Sequence, residues 1–167
     1  MIVCNSTVLV YLSKIDRLYL LKELFGEILI PEAVKKEVID EGKKRNYIDA
    51  IEIEKAVNEG WIKVQKIAVE PILEKIGIDA GEAEAISLAH KRKLEVLVDQ
   101  DHARDAAKLL RINPKGTIRV LLLALKEGLI NYDYYTLCLL DLVEVGFRMS
   151  EEVYIEAIRL GKEISKK

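Results

Sequence analysis

The sequence predicts an α/β fold, a three-layer sandwich in which a central parallel sheet of five strands lies between layers of helices. Short apolar runs at 2–4, 27–30, 61–67 and 95–98 are separated by longer segments of helical period, a pattern typical of βαβ units. Half of the 167 residues are hydrophobic, and no repeat or Pro/Gly/Ser linker divides the chain. We therefore expect a single domain over 1–167, with 131–167 as a carboxy-terminal helical extension.

The elements succeed one another in a regular order. The strand at 2–4 leads into a first helix, and the strand at 27–30 leads into a helix that begins at Pro31, a residue favoured in first turns. A very short fifth strand is expected at 111–113, because Pro114 and Gly116 are residues typical of a turn. Helices are predicted over 7–14, 17–24, 31–42, 47–59, 80–93, 101–110, 117–127, 132–145 and 150–165.

Composition limits the class of protein. No apolar run reaches the roughly 18 residues that span a bilayer, and no basic segment precedes an apolar stretch and a cleavage site, so we expect a soluble cytoplasmic protein without a membrane partner. Cys4 and Cys138 stand among apolar residues, so we expect buried thiols. Charged residues make up 32% of the chain, and their dominance by Lys and Glu suits the surface of a thermophile protein.

Positive charge is local rather than global. The net charge of −2 gives no overall electrostatic attraction for nucleic acid. Several basic clusters could nevertheless surround an acidic centre, although a solvated helix face is the favoured interpretation of any one of them. They are Lys35-Lys36, Lys43-Lys44-Arg45, Lys91-Arg92-Lys93 and the series Arg104, Lys108, Arg111, Lys115 and Arg119.

Polar residues at strand ends are the first candidates for a site. Asn5 ends the first strand and Asp99 ends the fourth, and open parallel sheets bind ligands at the carboxyl ends of their strands. Asp99 and Asp101 could instead cap the helix that begins after them, and we expect Asp101 to accept amides from its first turn.

Two helical glutamates fall among apolar residues. Glu37 shares the spacing of Val34, Val38 and Glu41, which places it on the inward stripe, although an edge position that reaches solvent is equally compatible. Glu82 shares a face with Ala85, Ile86 and Ala89.

Glu82 also has a structural interpretation. Asp79 is a good N-cap, which makes Glu82 the N3 residue of a capping box. Glu84 lies about 160° away around the helix, so the two glutamates cannot both point inward, and we favour Glu82. Together with Asn5, Glu37 and Asp99, Glu82 makes a set of oxygen donors that suits Mg²⁺ or Mn²⁺ rather than zinc.

In their order and spacing, these residues resemble a PIN domain, the fold of VapC-type toxins and related metal-dependent ribonucleases. The resemblance rests on IVCNSTVLVYLSKIDRLYLLKELFGEILIPEAVKKEV, on GEAEAISLA, and on LVDQDHARDAAKLL followed by GTIRVLLLALKEGLI. Together these stretches cover most of residues 1–150. The tail GFRMSEEVY is also similar to a VapC-like branch of archaeal and bacterial proteins.

The resemblance implies metal-assisted hydrolysis of phosphodiester bonds in single-stranded RNA. Mg²⁺ or Mn²⁺ would be the cofactor, and the family's first-strand Asp falls on Asn5. The residues that the resemblance matches are Glu37, Glu82 and Asp99 as catalytic groups and metal ligands, Asn5 as a further metal ligand, and Ser6 or Thr7 as the hydroxyl residue. To these we add Asp101 as a metal ligand within reach of the site, and Arg104, Lys108 and Arg119 at the RNA backbone, because these bases follow the strand ends that carry the acids.

The chain departs from that pattern at two positions. Asn5 carries no charge where the family has an acid, and Gln100 stands where a second Asp commonly comes after the one matched by Asp99. A neutral amide weakens cation binding, so a second hypothesis is a PIN-fold protein with weakened catalysis that binds RNA or a partner.

Other enzyme classes are not favoured. An aspartyl phosphatase could use Asp99, but the further Lys and acids it needs would have to come from about 65 remaining residues that are mostly in apolar helices. No P-loop or G-x-G-x-x-G motif is present. His90 and His102 have no partner at metal or triad spacing, so we expect surface histidines.

Partners are predicted only in outline. The first helices carry more apolar residues than one buried stripe needs, which suggests either a homodimer face, as the resemblance also implies, or burial beneath the carboxy-terminal helices. An antitoxin protein is a further partner that the resemblance implies.

Overall fold

Five parallel strands form the centre of the molecule in the computed structural model, which describes residues 1–167. The strands lie in the order β3-β2-β1-β4-β5, so β1 occupies the middle of the sheet. This arrangement confirms the predicted α/β fold with a parallel five-stranded sheet. The strands are β1 (Ile2–Cys4), β2 (Ile28–Pro31), β3 (Ile62–Gln65), β4 (Val96–Leu97) and β5 (Pro114–Lys115).

Helices connect the strands and continue the chain after the last of them. They are α1 (Ser6–Lys14), α2 (Tyr19–Phe25), α3 (Glu32–Lys35), α4 (Gly42–Lys44), α5 (Ile48–Glu59), α6 (Pro71–Ile76), α7 (Ala80–Arg92), α8 (Asp101–Leu109), α9 (Thr117–Lys126), α10 (Tyr132–Glu144) and α11 (Glu151–Ser165). A π-helical segment, Lys36–Glu41, joins α3 to α4. None of the helices combines the length and the apolar character that a bilayer crossing demands.

The sheet separates two hydrophobic cores. Side chains alternate across a strand, so Ile2 and Cys4 of β1 enter one core and Val3 enters the other. The larger core lies under α1, α2, α9 and α10, and the smaller one lies under α7 and α8. Both faces of the sheet are therefore covered, as a parallel sheet requires.

The carboxy-terminal helices cover the first helices. Leu9, Leu12 and Leu21 are fully buried in the same core as Leu139 and Leu142 of α10. The apolar surplus of the first helices is thus buried within the chain, which was the simpler of the two predicted explanations. Both cysteines are buried thiols, as predicted.

Helix α11 is held against α10 at one close contact. The Tyr135 hydroxyl donates to the carbonyl oxygen of Ala157 at 2.7 Å, and a Cβ at Gly161 would collide with the Tyr135 ring. Only glycine at position 161 allows this approach, so α10 and α11 pack as one unit.

Two predictions about elements were wrong, and one helix was missed. The fifth strand lies at Pro114–Lys115 rather than 111–113, because Arg111 adopts a left-handed backbone with φ 59° at the end of the preceding helix. Helix α6 was not predicted, since it is short and buries only Leu73. The helix predicted over 31–42 is interrupted by the π-helical segment, whose wider turn cannot be seen in the spacing of apolar residues.

Candidate active site

The carboxyl end of β1 places a buried amide at the centre of the sheet's edge. Asn5 is 3% exposed, and its backbone N–H donates to the carbonyl of Leu97 at 2.9 Å. Asn5 precedes α1 with extended backbone angles, but its side chain makes no capping bond to that helix. Its amide oxygen is therefore available to face the neighbouring elements.

Glu37 reaches this edge from the π-helical segment. The hydroxyl of Ser6 donates to Glu37 Oε2 at 2.6 Å. Val34, Val38 and Ile39 form the buried stripe, and Glu37 itself is exposed, so of the two positions that the sequence allowed for Glu37 the structure shows the one that reaches solvent. The extra residue of the π turn rotates Glu37 away from that stripe and towards Ser6.

Gly81 lies where these oxygen atoms meet. A Cβ at position 81 would be 3.3 Å from Glu37 Oε2, 3.6 Å from Asn5 Oδ1 and 3.6 Å from Asp79 Oδ1. Three oxygen donors from three parts of the chain thus surround the small space that the missing side chain of Gly81 leaves. Asp79 belongs to this group although the sequence suggested only a capping role for it.

Glu82 is buried beside this space and has several partners. Its backbone N–H donates to Asp79 Oδ1 at 2.8 Å, and its Oε2 accepts the N–H of Asp79 at 3.3 Å, which completes the predicted capping box. The side chain is directed inward, since Glu82 is 1% exposed. Glu84 instead accepts the backbone N–H of Ala33 at 2.8 Å and so meets the start of α3.

His102 contacts the same Glu82 carboxylate. His102 Nε2 lies 3.0 Å from Glu82 Oε2, although the imidazole is largely exposed. The prediction that His102 is a surface histidine without a partner was therefore wrong in its second part. The contact joins the start of α8 to the start of α7.

Asp99 accepts two hydrogen bonds from Thr117, the first residue of α9. Its Oδ1 accepts the backbone N–H of Thr117 at 2.7 Å, and its Oδ2 accepts the Thr117 hydroxyl at 2.8 Å. Burial raises the pKa of Asp99, while the two bonds from Thr117 and the nearby Arg104 act in the opposite direction. A Cβ at Gly116 would be only 2.9 Å from Asp99 Oδ1, so glycine is required there for this close approach.

Gln100 occupies the position next to Asp99 and links α8 to α1. Its Nε2 donates to Thr7 Oγ1 at 2.9 Å, while its buried Oε1 has no hydrogen-bond partner. Gln100, not Asp101, is the N-cap residue of α8, and its side chain makes no capping bond. The predicted capping role of Asp101 was therefore wrong.

Three of the remaining predicted residues line a cleft of about 1230 Å³ next to Asp99. Asp101, Arg104 and Arg119 line it, whereas Lys108 is exposed on α8 outside it. No group of three or more acidic, histidine or cysteine side chains is arranged to hold one metal ion. The structure therefore brings Asn5 and Glu37 together beside Glu82, but it does not gather all the predicted ligands at one point.

A comparison of the chain with models of protein families identifies its family. A family model described as a PIN domain matches residues 1–163. The chain belongs to the PIN-domain family. PIN domains are generally nucleases, often ribonucleases, and they typically use divalent metals. Among curated proteins and among solved structures, the chain has no significant match.

The oxygen donors of this PIN domain suit a hard divalent cation. Asn5 and Glu37 offer an amide oxygen and a carboxylate beside the space at Gly81. Gln100 Oε1, a buried acceptor without a hydrogen-bond partner, belongs to a residue that lines the separate cleft next to Asp99. Two further carboxylates are nearby. Glu82 is hydrogen-bonded to His102, and Asp99 is hydrogen-bonded to Thr117. The chemistry of these oxygen ligands thus fits Mg²⁺ or Mn²⁺. Of the four, Asn5 and Glu37 are better placed to bind a cation than Glu82 and Asp99.

Sequence reasoning missed three residues of this PIN-domain site. Gly81 could have been recognised as a close-approach glycine next to the capping residue Asp79. Thr117 could have been recognised as a hydroxyl residue at a helix start. His102 gave no signal, because its contact with Glu82 depends on how α7 and α8 pack.

Proposed function

We propose that this PIN-domain protein is a divalent-metal-dependent endoribonuclease that hydrolyses phosphodiester bonds of single-stranded RNA, and that it acts as a toxin-like component. The observation that carries the proposal is the meeting of Asn5 Oδ1 and Glu37 Oε2 at Gly81, at the carboxyl edge of the sheet and beside the buried Glu82. In the proposed centre, Asn5, Glu37, Glu82 and Asp99 would hold Mg²⁺ or Mn²⁺, and Asp101 lines the cleft next to Asp99.

The chain's own residues prepare this chemistry. A bound divalent cation supplies a polarised water and stabilises charge on the leaving oxygen. Ser6 fixes one oxygen of Glu37 through its hydrogen bond, and His102 and Asp79 fix the carboxylate of Glu82. Arg104, close to Asp99, supplies positive charge for a phosphate group. Fixed donors of this kind lower the cost of organising a reaction site.

Cleavage of an unstructured RNA tests the proposal. The purified protein should cut the RNA in Mg²⁺ or Mn²⁺, and EDTA or the Asp99→Asn substitution should abolish cleavage. Asp105→Asn is the matched control, because Asp105 is an exposed acid on the neighbouring helix, α8, outside the cleft. Cleavage that survives both EDTA and Asp99→Asn would refute the proposed site.

A second candidate is a PIN-domain protein with weakened catalysis that binds RNA or a protein partner. Three features favour it: Asn5 is neutral, both oxygens of Asp99 are engaged by Thr117, and no three acidic side chains surround one point. This candidate predicts no metal binding at physiological Mg²⁺, which calorimetric titration measures directly.

The same proposal includes a cytoplasmic homodimer, an antitoxin protein as partner and a thermophile source. Exposed Leu137, Leu140 and Val143 on α10 support a self-association face, because the apolar surface of the first helices is already buried. Light scattering of the purified protein should give a dimer mass, and Leu140→Lys should give a monomer. A monomeric wild type would exclude the dimer.

A further inference from the structure

We propose that the carboxy-terminal segment of this chain forms a second wall of the RNA-binding cleft, in which Arg148 binds a phosphate group and Phe147 offers a surface for a base. The inference rests on the proposed ribonuclease function and names a substrate-binding role for residues outside the acidic centre. Its starting observation is the cleft of about 1230 Å³ that runs from Asp99 to α11.

Arginines from three parts of the chain face this cleft. Arg104 comes from α8, Arg119 from α9 and Arg148 from the loop between α10 and α11. None of the three forms a salt bridge. Arg104 nevertheless lies close to Asp99, whose pKa it lowers, so Arg119 and Arg148 are the stronger candidates. An arginine that forms no salt bridge keeps its donors free for a ligand, and phosphate is an anion that its planar group fits well.

The cleft also has an aromatic surface. Phe147 and Tyr11 both line it, and their rings meet edge to face with centroids 5.1 Å apart. Aromatic rings beside a positively charged groove are the combination by which proteins bind single strands without reading their sequence. A groove that offered only arginines would attract any anion, whereas this one also suits unstacked bases.

The loop that carries Arg148 is held in place by α1. The Tyr11 hydroxyl donates to the carbonyl of Gly146 at 3.3 Å, and Gly146 has φ 93°, which favours glycine. On the far side, α11 is fixed by the contact between Tyr135 and Gly161. The wall is therefore present before RNA arrives, and binding does not have to order it.

Acidic residues lie in the same cleft. Glu156 is neutralised by a bidentate contact with Arg159, while Glu152 forms no salt bridge. Glu152 should repel a phosphate that approaches Arg148. Removal of the Glu152 charge should therefore change RNA affinity in the opposite direction from removal of the Arg148 charge.

Fluorescence anisotropy with a short labelled single-stranded RNA of mixed sequence, in EDTA, tests the proposal without cleavage. Arg148→Ala should weaken binding by roughly tenfold. It should also make the slope of log K against log salt concentration shallower by about 0.7, the value expected for one lost phosphate contact on a single strand. Glu152→Gln should tighten binding. Phe147→Leu, which keeps apolar packing against Tyr11, should weaken binding roughly five- to a hundredfold through lost stacking.

Lys126→Ala is the control for the loss of one positive charge, because Lys126 is exposed, lies outside the cleft and forms no salt bridge. Wild-type binding that Arg148→Ala leaves unchanged, in affinity and in salt dependence, overturns this inference and leaves the proposed ribonuclease intact. A wild type that neither binds nor cuts RNA overturns the proposed function itself.

Discussion

His102 Nε2 and the backbone N–H of Asp79 both meet the same oxygen of Glu82, Oε2, at 3.0 Å and 3.3 Å. One carboxylate oxygen therefore both completes the capping box of α7 and joins α7 to α8. The capping contribution of Glu82 to stability and the contribution of its charge to chemistry can be separated, because a capping box accepts Gln as well as Glu.

Glu82→Gln should abolish RNA cleavage while it changes the free energy of unfolding by less than about 1 kcal/mol, since the amide oxygen still accepts the N–H of Asp79. Asp79→Ala removes the N-cap and should cost about 0.5–2 kcal/mol. Chemical denaturation and cleavage assays on both variants measure the two effects. A Glu82→Gln protein that cleaves as fast as wild type would show that the charge of Glu82 has no role.

Asp99→Asn should raise the thermal stability of the metal-free protein at neutral pH. Burial raises the pKa of Asp99, so the folded state binds its proton more tightly than the unfolded state, whose pKa is near 3.9. The stability that this proton supplies is complete below pH ~4 and is lost as the pH rises through the folded-state pKa.

Asparagine removes the buried charge and still accepts the N–H of Thr117. The difference in Tm between Asp99→Asn and wild type, measured by calorimetry in EDTA, should therefore be largest at neutral pH and shrink towards pH ~4, with about 2–4 °C for each kcal/mol. A difference that grew as the pH fell would contradict the predicted sign.

Asn5→Asp should increase the affinity for Mn²⁺ by roughly tenfold or more, because it adds a negative charge beside Glu37. The same change should lower the Tm in EDTA, since position 5 is 3% exposed and a buried carboxylate is costly without a cation. Calorimetric titration and thermal unfolding with and without Mn²⁺ check both parts. Equal Mn²⁺ affinity in the two proteins would place the ion away from position 5.

Gly81→Ala should weaken Mn²⁺ binding without destabilising the protein. Alanine is favoured over glycine in a helix by up to about 1 kcal/mol. The new methyl group would nevertheless lie 3.3 Å from Glu37 Oε2 and 3.6 Å from Asn5 Oδ1, in the space where their oxygens meet. Mn²⁺ titration alongside thermal unfolding tests this, and unchanged Mn²⁺ affinity would argue against a cation between these groups.

The parallel sheet and most of the helices were predictable, because buried strands and amphipathic helices differ in the period of their apolar residues. Strands β1, β3 and β4 lie within the predicted runs, and α7 and α9 lie close to their predicted bounds. Strand β5 could not be located, because two residues carry no period and its position depends on pairing with Val96 and Leu97.

The position of a site residue was predictable when it depends only on the helix or strand that contains that residue. The burial of Glu82 and its capping box depend on the helix that contains them. The position of Glu37 depends on a π turn, and the engagement of Asp99 by Thr117 depends on how β4 and α9 meet. Contacts between elements are not encoded in the spacing of any single segment.

The sheet that separates the two cores supports the site from both sides. Helix α1, with Ser6 and Thr7, rests on one core, and α7 and α8, with Glu82 and the N-cap residue Gln100, rest on the other. The hydrogen bond from Gln100 to Thr7 joins the two blocks, whereas the bond from Ser6 to Glu37 lies within the first. We expect a substitution deep in either core to displace α1 relative to α7 and α8, and so to weaken the site although the changed residue is far from any of its oxygens.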